Sequence, residues 1–69
     1  MIAGKVKFYN SEGRFGYIQQ DRSTDQFRVL GSALARAGIK RLSEGQSVNF
    51  DTHTDPDSGR TVVDKLEIA

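Results

Sequence analysis

The run Lys5-Val6-Lys7-Phe8-Tyr9-Asn10-Ser11-Glu12-Gly13-Arg14-Phe15-Gly16-Tyr17-Ile18 crowds four aromatic rings, three cations and an Asn into one short segment. Phe15 and Tyr17 alternate with Gly16 and Ile18, so a strand here sends both rings to one face and Ile18 to the other. Rings in a small domain belong in the core by default. Val6, Ile18, Val48, Phe50, Leu66 and Ile68 already supply an inward set, which leaves Phe8, Phe15 and Tyr17 for a surface. Rings on a sheet face beside Lys7 and Arg14 offer stacking for bases and charge for phosphates, the means by which proteins hold single-stranded nucleic acid. Tyr9 is divided between edge packing and ligand contact, because adjacent residues of a regular strand cannot share a face.

Outward from this segment, strand-like runs alternate with turn residues. Lys5 to Asn10 reads as a first strand, Ser11-Glu12-Gly13 as a turn, and Arg14 to Gln20 as a second strand whose Gly16 permits a close approach. Gln26 to Leu30 reads as a third, ended by Gly31. The period changes over Ser32 to Gly38, where alanines favour helix, Ser32 suits an N-cap and Gly38 a C-cap. Leu34 and Ile39 are expected to point inward from this turn. Ser47 to Thr54 predicts a fourth strand with Val48 and Phe50 inward. Asp55-Pro56-Asp57-Ser58-Gly59 reads as a hairpin turn, and Thr61 to Ile68 as a fifth strand with Leu66 and Ile68 inward. The expected fold is all-β: a closed five-stranded antiparallel barrel with a short helical turn after strand three, in one domain over residues 1–69. Closure removes the edges that an open sheet of this size would expose.

Composition narrows the function classes. The chain has 69 residues and no cysteine, which excludes disulfide staples and thiolate metal sites and fits a reducing cytoplasm. No apolar run approaches the roughly 18 residues of a membrane span, and no signal pattern opens the chain. A cytoplasmic protein without a membrane partner is expected. The net charge of +1 means that affinity for nucleic acid must come from local clustering of cations. Arg36, Lys40 and Arg41 form a second basic cluster, read as a solubilising face. Asp51 to Asp57 alternates acids with the one histidine, His53, but the spacing matches no cation loop and Pro56 with Gly59 is turn chemistry. No metal or cofactor is expected. His53 is accompanied by no nucleophile elbow and no phosphate-binding glycine loop, so no enzyme is expected either.

Lys5 to Asn10, Arg14 to Ile18, Ser32-Ala33, and Leu42-Ser43-Glu44-Gly45-Gln46-Ser47-Val48-Asn49-Phe50 together resemble, in order over almost the whole chain, the bacterial cold-shock proteins. The resemblance implies an OB-fold barrel that binds single-stranded RNA or DNA and acts as an RNA chaperone. The family's first ribonucleoprotein motif is close to Lys-Gly-Phe-Gly-Phe, and Gly13-Arg14-Phe15-Gly16-Tyr17 stands in its place with the basic residue moved by one. Phe8 stands where the family exposes a tryptophan.

The second motif, close to Val-Phe-Val-His-Phe before Ser-Ala, departs further. Here the stretch is Gln26-Phe27-Arg28-Val29-Leu30-Gly31, one residue longer. Matching Phe27 to the first Phe of the motif would bury Gln26 and Arg28, at about 1–3 kcal/mol for each unpaired polar group. Anchoring on Ser32 instead turns Phe27 and Val29 inward and Arg28 and Leu30 outward. A one-residue slip exchanges the two faces of a strand, and burial favours the second register. Arg28 then takes the place of a ring on the platform, where its guanidinium can stack on a base or pair with a phosphate.

The residues expected to bind nucleic acid are therefore Lys7, Phe8, Asn10, Arg14, Phe15, Tyr17 and Arg28, with Asn10 reading a base edge. A competing expectation is a degenerate or redesigned barrel that serves as a structural or self-associating module. Leu30 beside Phe8 and Phe15 would then complete an exposed apolar patch.

Overall fold

The computed structural model describes residues 1–69. Its elements are β1 (Ile2–Asn10), β2 (Phe15–Gln20), β3 (Gln26–Leu30), α1 (Gly31–Ala37), β4 (Ser47–Thr54) and β5 (Thr61–Ile68). The strands close a barrel in the order β1-β2-β3-β5-β4. Four pairings are antiparallel, and the barrel is shut by a parallel contact of β3 with β5 at Arg28 and Val62. The all-β barrel with its short helix after the third strand is thus the fold the sequence predicts.

Val6, Ile18, Val29, Val48, Phe50, Val63 and Leu66 fill the interior from the five strands, and Ala33, Leu34 and Leu42 cap it from the helix and the segment after it. Phe27 is half-buried and packs its ring at 5.6 Å from that of Phe50. With Val29 wholly enclosed and Arg28 and Leu30 exposed, β3 sits in the register anchored on Ser32. That register spares the barrel the desolvation of Gln26 and Arg28.

The parallel β3–β5 contact departs from the expected antiparallel barrel, β2 starts at Phe15 and not Arg14, and further details differ from the sequence expectation. β1 begins at Ile2, because Ile2 to Lys5 pair with Phe50 to Ser47 of β4. Ser32 is not the N-cap: α1 starts at Gly31 directly after the extended Leu30, with no side-chain cap. The Gly31 N–H instead donates to the Arg14 carbonyl oxygen at 2.7 Å, so the β1–β2 turn satisfies one of the helix's free donors. Ile68 points to solvent, being 47% exposed. The end of β5 runs past the point where β3 closes the barrel, and Ile68 lies at the open rim.

Candidate nucleic-acid interface

A single irregularity in β1 decides what the outer face carries. Val6 pairs with Ile18 and Phe8 with Tyr17, leaving Lys7 as an extra residue in a β-bulge. In a regular strand Phe8 would follow Val6 into the core. The bulge turns Lys7 and Phe8 outward together, and the next residue, Tyr9, packs half-buried against the core. Gly16 makes this crossing feasible. It pairs with Tyr9, and a Cβ on it would strike the Phe8 carbonyl oxygen and come within 2.8 Å of the Tyr9 ring.

Two rows of side chains result. Phe8, Tyr17, Arg28 and Val62 lie side by side across β1, β2, β3 and β5, and Asn10, Phe15 and Leu30 form the neighbouring row. Phe8 and Phe15 meet edge to face with ring centroids 5.8 Å apart, and Phe15 and Tyr17 do so at 6.5 Å. Phe8 and Tyr17 are 37% and 38% exposed, which makes them a platform and not core. The Arg28 guanidinium carbon lies 5.4 Å from the centre of the Phe15 ring, in the range of a cation–π contact.

The cations of this face are unpaired. The two ion pairs of the molecule, the Met1 amino group with Asp51 and Arg36 with Asp64, lie elsewhere and leave Lys7, Arg14 and Arg28 free. Arg36 is thereby tied to the barrel wall, donating also to the Asp64 carbonyl oxygen at 3.1 Å. Arg14 belongs to the β1–β2 turn, not to β2, and holds a left-handed backbone with φ 56°. Asn10 is committed to the same turn: its Oδ1 accepts from the Glu12 and Gly13 N–H groups at 3.0 and 3.1 Å. Only its amide NH2 is left for a ligand. Asp51 to Asp57 with His53 bring no three potential ligand groups together.

The geometry therefore gathers Lys7, Phe8, Arg14, Phe15, Tyr17 and Arg28 on or beside one face, with Asn10 at its edge. Val62, half-buried beside Arg28, was not expected there. The Val62-Val63 doublet carries no alternation from which its outward turn could be read.

A continuous aromatic and cationic face on a closed five-stranded barrel has counterparts among known proteins. The model of the 'Cold-shock' DNA-binding domain matches residues 2–62. The chain belongs to the cold-shock domain family. The cold shock protein CspA of Rhizobium meliloti (strain 1021) is 42% identical over 69 residues, covering the whole of both chains. The cold shock-like protein CspB of Bacillus cereus is 50% identical over 48 residues, covering 70% of this chain and 72% of its own. The cold shock protein CspC of Bacillus subtilis (strain 168) is 45% identical over 51 residues, covering 74% and 76%. Nucleic-acid binding of the RNA-chaperone kind goes with membership of the cold-shock family. No helix is long and apolar enough to cross a membrane.

Proposed function

We propose that this cold-shock domain binds single-stranded RNA or DNA across β1, β2 and β3, as a cytoplasmic module of residues 1–69 that carries out no catalysis. The observation that supports this most is the ring set of exposed Phe8 and Tyr17 around half-buried Phe15, with unpaired Arg28 against it. Bases stack on the rings, where each good stack contributes about 1–3 kcal/mol. Lys7 and Arg14, at the border of the face, meet phosphates. Asn10 donates its amide to a base edge while its carbonyl holds the turn.

Titration of a labelled oligothymidine tests the reading. Log affinity is expected to fall with log salt at a slope of about 0.7 per phosphate contact. Phe15→Ala combined with Tyr17→Ala is expected to weaken binding at least about tenfold, the equivalent of one lost stack, without unfolding the domain. An unchanged affinity in that double variant would remove the platform from the mechanism. Light scattering checks the rival use of the same rings: an oligomer indifferent to oligonucleotide would favour self-association through Leu30, Phe8 and Phe15.

A further inference from the structure

We propose that Arg28 gives the platform a preference for guanine, by presenting its guanidinium fork to the O6 and N7 acceptors of a base stacked on Tyr17, its cross-strand neighbour. The inference rests on the nucleic-acid reading above and adds a base preference to it. Arg28 is not at the border of the face. It stands inside the row Phe8–Tyr17–Arg28–Val62, with Leu30 two residues along its own strand. Its guanidinium lies over the Phe15 ring and makes no ion pair, which leaves its N–H edges without a charged partner and the Tyr17 ring, at 87° to Phe15, for a base.

The surroundings select the kind of acceptor. A charged phosphate set between two rings, Leu30 and Val62 gives up more hydration than a neutral base edge does in the same place. A base stacked on Tyr17 lies over the face and brings its neutral edge to Arg28 at a smaller cost. Guanine carries two adjacent acceptors matched to the fork of an arginine, the commonest specific contact of this side chain with a base. Adenine sets an amino donor beside its N7, and thymine offers one carbonyl oxygen beside a methyl group. Guanine also has the wider two-ring surface for stacking. Cytosine, with two acceptors on one ring, is the nearest competitor.

Fluorescence anisotropy on labelled heptathymidylates that differ only at the central base decides the matter. Central guanine is expected to bind on the order of tenfold more tightly than central thymine, and 7-deazaguanine to lose most of that gain. Arg28→Lys keeps the charge and removes the fork, so the guanine-to-thymine ratio is expected to fall towards one. Arg28 is exposed, and a melting curve checks that the variant is folded. Equal affinity for all central bases, or a preference for cytosine, overturns the assignment. So does an Arg28→Lys protein that binds every oligomer more weakly by the same factor with a smaller salt slope, since that marks a phosphate contact. Failure of the wild-type protein to bind any of the oligomers would instead overturn the nucleic-acid reading, and this inference with it.

Discussion

Replacing Arg14 with glycine should make the domain more stable and a poorer ligand binder at once. Arg14 holds φ at 56°, where a Cβ crowds the following carbonyl at about 1–2 kcal/mol. Glycine removes that strain but makes the unfolded chain more flexible, which offsets about 0.4–1 kcal/mol. The Gly31 N–H bond to the Arg14 carbonyl involves backbone alone and survives. Side-chain cover over Gly31 is lost, since the Arg14 Cβ and Nε lie within 2.9 Å of where a Gly31 Cβ would fall. The balance runs from about zero to a gain of about 1 kcal/mol, so the rise in Tm is at most about 4–8 °C for a domain of this size.

The same change deletes a cation beside the platform. Affinity for oligothymidine should fall, and the salt slope should shrink by about 0.7 as one phosphate contact disappears. Arg14→Ala separates the two effects. Alanine keeps the backbone strain and loses the charge, so binding should weaken as in the glycine variant with no gain in Tm. Differential scanning calorimetry and anisotropy on the three proteins suffice. A lower Tm for Arg14→Gly than for Arg14→Ala would refute the strain argument outright. Undiminished affinity in both variants would take Arg14 out of the interface.

Two further outcomes follow from the framework. Gly16→Ala should cost about 1–3 kcal/mol, towards the upper end, because the added Cβ strikes the Phe8 carbonyl and the Tyr9 ring and backbone cannot swing aside as a flexible side chain would. Urea denaturation measures it, and wild-type stability would show that the β1 crossing yields. At the β4–β5 hairpin, the Asp57 N–H bond to the Asp55 carboxylate holds the Asp55 pKa below its ordinary 3.8, with smaller help from Ser58 and the charge of His53 and some opposition from desolvation. A folded pKa below the unfolded one means that this contribution is full above the ordinary carboxylate range and is lost as pH falls through the depressed value. Asp55 is at the surface, so the effect is confined to the turn; a carboxyl-carbon NMR titration with its midpoint at or above 3.8 would contradict it.

Much of the architecture was legible because each strand carries its own alternation and each turn its own chemistry. β3, β4 and β5 occupy the ranges read from the sequence. The rim of the barrel was not legible. Ile68 has the parity of an inward residue, and whether a neighbour covers it depends on where another strand ends. Ser32 looks like a cap by composition, yet a carbonyl far away in sequence serves one of the helix's first donors. Both misses are tertiary facts that local propensity does not contain.

The aromatic face is the instructive case, because Phe8 turns outward although strict alternation forbids it. Val6 inward and Phe8 outward are incompatible in a regular strand, since their spacing puts them on one face. The sequence reading placed Phe8 outside only because residues such as Ile18, Val48 and Phe50 already supplied a core. The structure supplies the missing device, one extra residue at Lys7 that reverses the phase of β1 midway. That residue is also a cation at the edge of the rings, so the insertion that exposes Phe8 delivers a charge beside it in the same step. Bulges of this kind re-aim side chains at functional sites. In β1 the bulge divides the strand into a half that pairs with β4 and builds the barrel and a half that begins the platform.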